Sequence, residues 1–125
     1  MDIIEENDFF YFWKEGEIIC YAFKKREINL EIAKMGVAIR DSISKGRPCF
    51  VYMDLTHVKS ATKEARDYYG DFEIDGPVKA VAVFTPSFLT KIMGSFFINF
   101  TRPKVPCKIF STKESALHWL NGFPV

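Results

Sequence analysis

The sequence lacks the features that would place it in several common classes of protein. No apolar run approaches the ~20 residues that a membrane-spanning helix needs. The acidic start MDIIEENDFF has neither the basic nor the apolar region of a secretory signal. Lys and Arg (17) nearly balance Asp and Glu (16), which gives a formal net charge of +1 and no basic excess for general nucleic-acid binding. These absences favour a cytoplasmic protein without a transmembrane segment and argue against a nucleic-acid partner.

The motifs of cofactor and metal sites are also missing. There are only two histidines, His57 and His118, and no C-x-x-C or H-x-x-x-H spacing that would suit a metal ion. No glycine-rich dinucleotide or Walker-type loop occurs. The three cysteines lie in apolar, strand-like stretches and are predicted to be reduced, buried thiols. We therefore expect no metal and no cofactor.

What is present is enough apolar sequence for one ordinary domain. The chain has 125 residues, 48% of them hydrophobic, and no internal repeat or linker, so we treat residues 1–125 as a single domain. Thirteen phenylalanines stand out. That many aromatic side chains can fill a small core and leave some for an interface.

Strand-like and helix-like segments alternate along most of the chain. Strands are predicted at 9–13, 18–23, 49–54, 78–84 and 107–110, with Gly16 in the turn between the first two. A helix capped by Asn29 runs to about Ser44, with Gly46 beyond it and Ile32, Met35, Gly36, Ile39 and Ile43 as its buried face. Further helices are predicted at roughly Ala61 to Tyr69, from Thr85-Pro86 to about Phe100, and after a capping box at Ser111–Glu114, the last with Ala116, Leu117 and Leu120 inward. The order ββαβαβαβα predicts an α/β fold with a mixed five-stranded sheet and four helices.

This order, together with VYMDLTHV, VKAVAVF, and RPKVPCKIF before ALHWL, resembles the STAS superfamily. The closer resemblance is to its small stand-alone bacterial branch, which has the anti-sigma-factor antagonist-like fold and is related by annotation to CRAL-TRIO lipid-transfer domains. The resemblance implies a regulatory, protein-binding domain. It also implies a loop of the form Asp-Leu-Ser-x-Val followed by a phosphorylated serine at the start of the second helix.

Four residues form a candidate switch loop: Asp54, Thr56, Ser60 and Thr62. Asp54-Leu55-Thr56-His57-Val58 matches the first part of the family pattern, whereas KSATKEA replaces the phospho-acceptor motif. A phosphate at a helix N-terminus would meet free backbone N–H groups and the positive end of the helix dipole. The simpler interpretation is that Ser60 is only the N-cap of the second helix, and we prefer it.

A hydrolytic triad of Asp54, His57 and Ser60 is a third interpretation. A nucleophile needs a positioned base and an oxyanion hole. No G-x-S-x-G elbow is present, and no glycine lies between Gly46 and Gly70 to form a strained nucleophile turn. We expect no enzymatic activity.

The predicted third helix has an apolar face wider than a helix on a sheet requires. The excess lies near Met93, Phe97 and Phe100. Other parts of the monomer, a second copy or a small apolar ligand could cover it.

The resemblance and the wide apolar face together imply a non-enzymatic regulatory or protein-interaction domain of STAS type, acting as a homodimer or with a regulatory protein partner. The alternative is a carrier or sensor of a small apolar or lipid-like ligand.

Overall fold

The fold is described from a computed structural model, in which residues 2–70, 76–86 and 105–124 are described. The strands are β1 (Ile3–Glu6), β2 (Phe10–Glu15), β3 (Ile18–Phe23), β4 (Glu27–Ile28), β5 (Cys49–Asp54), β6 (Ser60–Ala61), β7 (Val78–Phe84) and β8 (Cys107–Phe110), and the helices are α1 (Leu30–Ser44), α2 (Lys63–Gly70) and α3 (Lys113–Asn121). The predicted helix from Thr85-Pro86 to Phe100 falls largely outside the described residues, as do Met93, Phe97 and Phe100.

The main sheet has six strands in the order β1-β2-β3-β5-β7-β8. β1, β2 and β3 pair antiparallel, whereas β3, β5, β7 and β8 are parallel. The mixed α/β architecture is confirmed, but the five-strand count was wrong. The sequence did not predict β1. Its residues, IIEE, do not alternate between apolar and polar, and all four are exposed, so they carry no strand pattern.

Each face of the sheet has its own core. On one face, α1 and α2 pack on the aromatic side chains of β2 and β3 and on the aliphatic side chains of β5 and β7. On the other face, Ala116 and Leu120 of α3 pack with Tyr52, Ala80 and Ala82. The central strands β3 and β5 are covered on both faces and are almost continuous apolar runs.

Helix α1 lies very close to β2. Gly36 makes this approach possible, since a Cβ atom at that position would lie 2.9 Å from the Cζ atom of the buried Phe10 ring. The predicted cap is confirmed, because the Asn29 side chain accepts a hydrogen bond from the Ile32 amide at 2.9 Å. The buried face is rotated from the predicted one: Arg40 and Ser44 are buried, whereas Ile39 and Ile43 are only partly buried.

Two local predictions about helix starts were wrong. α2 begins at Lys63 rather than near Ala61, because Ser60 and Ala61 form β6 and pair with β4. α3 is capped by Thr112, whose side chain accepts from the Ser115 amide at 3.2 Å, rather than by a box between Ser111 and Glu114. In both cases a neighbouring hydroxyl residue took the capping position.

The tight turn between β2 and β3 is confirmed. Gly16 has a φ of 59°, a left-handed conformation that glycine adopts without a steric penalty, and the pairing of Glu15 with Ile18 closes the hairpin around it. β2, which the sequence predicted over residues 9–13, extends to Glu15 because its antiparallel pairing with β3 continues as far as the turn.

Candidate functional site

The candidate site lies at the edge of the sheet where the parallel strands end. β3, β5, β7 and β8 run in one direction, so their carboxyl ends meet at this edge. Asp54, the last residue of β5, is in register with Ala22 of β3 and Phe84 of β7. In open α/β sheets this edge is the usual place for functional side chains.

Asp54 closes the turn that follows β5. Its Oδ1 atom accepts one hydrogen bond from the Thr56 amide at 2.9 Å and another from the Thr56 hydroxyl. The adjacent Leu55 amide donates to the Phe84 carbonyl at 2.8 Å, which ties the start of the loop to β7. The Asp54 carboxylate therefore fixes the backbone of the loop, an Asx-type turn.

The loop after β5 is joined to the loop after β3 by backbone hydrogen bonds. The Lys59 and Ser60 amides both donate to the Arg26 carbonyl, at 2.7 and 3.2 Å, and the Thr62 amide donates to the Ile28 carbonyl at 2.9 Å. The short parallel pair β4–β6 extends this connection. The buried side chains of Ile28 and Val58 anchor the two loops in the core beneath.

The two hydroxyl candidates Ser60 and Thr62 differ in their hydrogen bonds. Ser60 lies in β6, and its hydroxyl donates to a Glu27 carboxylate oxygen at 3.3 Å. Thr62 is the residue that caps α2, because its Oγ1 accepts from the Ala65 amide at 3.2 Å. The interpretation of Ser60 as the N-cap was therefore wrong. Each of the hydroxyls of Thr56, Ser60 and Thr62 is used in a local hydrogen bond.

Asp54, His57 and Ser60 are close in sequence, but within the described part of the chain no hydrogen bond links them. His57 is exposed at the turn, Asp54 bonds to Thr56, and Ser60 bonds to Glu27. The base–nucleophile contact that activates a serine is not among these bonds.

Sequence reasoning missed the contribution of the loop after β3. Lys24, Lys25 and Arg26 follow the last residue of β3 directly, and all three are exposed. Lys59, on the joined loop, is exposed as well. A run of three cations at a strand end was the available signal, and the β3–β5 and β4–β6 pairings place it beside the loop of Asp54.

The thiols are poorly suited to chemistry. Burial raises the pKa of Cys20 and of Cys107 to about 12, and burial also raises the pKa of Cys49. All three remain in the neutral thiol form at neutral pH, and the thiol form is a weak nucleophile and metal ligand. Within residues 2–70, 76–86 and 105–124, no group of three or more His, Cys, Asp or Glu side chains could hold a metal ion.

A second surface feature lies at the end of α3. His118, Trp119, Gly122, Phe123 and Pro124 line a shallow, open depression. The Trp119 and Phe123 rings meet edge to face, with 4.9 Å between their centroids. His118, at its rim, is exposed. Of the helices that the structure describes, none is long and apolar enough to cross a bilayer.

Comparison with solved structures defines the class of fold. The chain is similar to an uncharacterised protein of the DUF3478 family from Shewanella loihica PV-4, which has a SpoIIAA-like fold. The TM-score is 0.62 at 17% sequence identity, over 87% of this chain and 90% of the other. The fold is thus SpoIIAA-like, which agrees with the predicted STAS-type architecture.

The family model that matches the sequence gives the particular assignment. Residues 12–124 match the family described as a domain of unknown function, DUF7793, and the chain belongs to this family. No curated protein matches the sequence.

Proposed function

We propose that this chain is a non-enzymatic regulatory domain that acts by binding another protein through the carboxyl edge of its sheet. The observation that carries the proposal is the junction of the two loops at that edge, where the amide of Lys59 is bonded to the carbonyl of Arg26 at 2.7 Å. The junction holds Thr56, His57 and Lys59 exposed on a restrained backbone. Restrained exposed side chains lose less conformational entropy on binding than side chains on a free loop.

The hydrogen bonds of the candidate residues support binding over catalysis. Asp54 accepts from Thr56, and Ser60 donates to Glu27. Both contacts organise the backbone or the pairing of loops. A general base or nucleophile would instead be directed toward a reacting group.

We propose that phosphorylation controls this edge. A phosphate on Ser60 and a phosphate on Thr62 should have opposite effects on the junction of the two loops. A phosphate on Ser60 would be repelled by the Glu27 carboxylate, which now accepts its hydrogen bond, and would weaken the β4–β6 pair. A phosphate on Thr62 would remain at the N-terminus of α2, where negative charge is favourable. Ser60 is therefore the better site for a signal that opens the junction.

The homodimer predicted through Met93, Phe97 and Phe100 stays a prediction, since these residues lie outside the described part of the chain. The carrier of a small apolar ligand depends on the same residues. No observation on the described residues favours that alternative over protein binding.

Site-specific photo-crosslinking tests the proposal. A photoreactive amino acid replaces the exposed His57 at the carboxyl edge, or the exposed Glu17 in the β2–β3 turn at the opposite end of the sheet. We expect cells of the source organism to yield one defined protein adduct from position 57 and none from position 17. The purified partner should then bind the wild-type chain stoichiometrically. Equal adducts at both positions, or none at either, would contradict the proposal.

A further inference from the structure

We propose that the partner presents an acidic protein segment, and that Lys25, Arg26 and Lys59 are the residues that bind it. This inference rests on the proposed function, because it names the class of partner for the same edge. We refer to these three residues as the basic patch.

The basic patch consists of three cations that the described part of the chain does not neutralise. Lys24 beside it pairs with Glu6, and Lys63 pairs with Asp67 at 2.8 Å. For the three residues of the patch, by contrast, no carboxylate of residues 2–70, 76–86 or 105–124 lies within the 4.0 Å of an ion pair.

The two neighbouring cations Lys24 and Lys63 are thus already paired, and one carboxylate, that of Glu27, keeps its negative charge beside the patch. Glu27 follows Arg26 directly and accepts the Ser60 hydroxyl at 3.3 Å, which directs its carboxylate toward β6. The whole chain has a formal net charge of only +1. Three unpaired cations on two adjoining loops are therefore a local concentration of positive charge.

The geometry of the patch is set by the backbone. Arg26 and Lys59 are connected by the 2.7 Å bond between the Lys59 amide and the Arg26 carbonyl, so their positions are coupled. Lys25 extends over the ring of the half-buried Phe9, with its Nζ atom 5.5 Å from the ring centroid. This cation–π contact restrains the Lys25 side chain and keeps its charge at the surface of the patch.

The number of cations decides between the classes of anionic partner. Nucleic-acid binders commonly neutralise roughly six to ten phosphates, and recruitment to anionic membranes takes clusters of about four to eight basic residues. Three are too few for either. All three side chains are exposed, so water would compete strongly for a small ion held by one of them. An extended acidic segment can contact all three at once.

Charge reversal with a fluorescent oligoglutamate peptide as probe tests the inference. The triple variant Lys25→Glu, Arg26→Glu, Lys59→Glu is compared with the wild-type chain by fluorescence anisotropy at low and high salt. A single-site variant, Arg26→Glu, accompanies it in case the triple variant folds poorly. Lys14→Glu is the control, since Lys14 is an exposed cation of β2 near the opposite end of the sheet.

We expect the wild-type chain and Lys14→Glu to bind the peptide equally. Arg26→Glu should weaken binding several-fold and the triple variant by about tenfold or more, with the affinity of the wild type falling as salt rises. Equal binding by all variants would overturn the inference. So would retention of anionic vesicles or single-stranded oligonucleotide by the wild type when the peptide does not bind.

The outcome is separable from that of the proposed function. If the partner crosslinked at position 57 binds the triple variant as tightly as the wild type, the acidic-partner inference is wrong while the binding edge stands. If no partner crosslinks at position 57, the proposed function itself is wrong.

Discussion

The amide of Lys59 donates to the carbonyl of Arg26 at 2.7 Å, and this bond joins two loops that the sequence separates by more than thirty residues. It brings the cations that follow β3 beside the turn that follows β5. The surface that we propose to bind a partner therefore depends on a contact between backbones. The side chains of Lys25, Arg26 and Lys59 contribute positive charge, and the backbone contact determines where that charge lies.

The first prediction concerns the cap of α2. Thr62→Ala should lower the free energy of unfolding by about 1 kcal/mol, because it leaves the Ala65 amide without its acceptor. Ser60→Ala should have a smaller effect, since it removes only an exposed contact to Glu27. Urea denaturation of both variants measures the difference. A larger loss for Ser60→Ala would restore Ser60 as the cap.

The second prediction concerns the close approach of α1 to β2. Gly36→Ala should destabilise the protein by roughly 1–3 kcal/mol, although alanine favours a helix, because the added methyl group meets the Phe10 ring at 2.9 Å. Phe10→Leu should reduce the loss in the double variant, and the interaction energy from the double-mutant cycle measures the contact. Additive effects of the two substitutions would show that the ring is not the obstacle.

The third prediction concerns the fully buried Tyr52 hydroxyl, for which no described group is a hydrogen-bond partner. Tyr52→Phe should leave the stability unchanged or raise it by up to about 1 kcal/mol, because an unsatisfied polar group is removed from the core. Tyr52→Leu is the comparison, and it should be destabilising because the edge-to-face contact with Trp13 is lost. Thermal melts of both variants check this. A clear loss of stability in Tyr52→Phe would mean that the hydroxyl is bonded in solution.

The fourth prediction concerns alkaline pH. Burial raises the pKa of Cys20 and Cys107 from 9.0 to about 12, so these thiols lose their protons more readily in the unfolded chain than in the folded one. Their contribution to stability is fully present below about pH 9 and is lost as the pH rises from there to about 12. The urea midpoint should therefore fall over this range.

The same burial makes the thiols slow to react with Ellman's reagent near neutral pH in the folded protein, and fully reactive in guanidinium chloride. Rapid reaction of Cys20 and Cys49 in the folded protein would contradict their buried positions, whereas Cys107 is only partly buried.

The sequence predicted the central strands and the first helix well because their signals are local. The apolar runs 49–54 and 78–84 match β5 and β7 in full, and Asn29 caps α1 as predicted. A strand covered on both faces and a side-chain cap are each determined by adjacent residues.

The remainder of the fold depends on partners distant in sequence. β1 has four exposed residues and exists through its pairing with β2, and β6 exists through its pairing with β4. Because Ser60 belongs to the β4–β6 pair, the cap of α2 is Thr62 and not Ser60 as predicted. Arg40, which was not among the predicted buried residues of α1, is buried because its helical spacing from Ala33 and Gly36 places it on the face that packs on the sheet.

The candidate site was predicted in part. Asp54 ends a parallel strand, so it lies at the carboxyl edge of the sheet, and the function of this edge stays a prediction. The basic patch could not be found in the same way, since Lys25 and Arg26 become neighbours of Lys59 through strand pairings between segments distant in sequence.

Amide chemical-shift mapping during titration with the oligoglutamate peptide tests the central claim most directly, because each residue of the two loops reports separately. The account predicts that the largest shifts fall at Lys25, Arg26 and Lys59, with Glu17 in the distant hairpin turn unchanged. Shifts concentrated in the β2–β3 turn or along α3, with residues 24–28 and 54–62 unaffected, would contradict it.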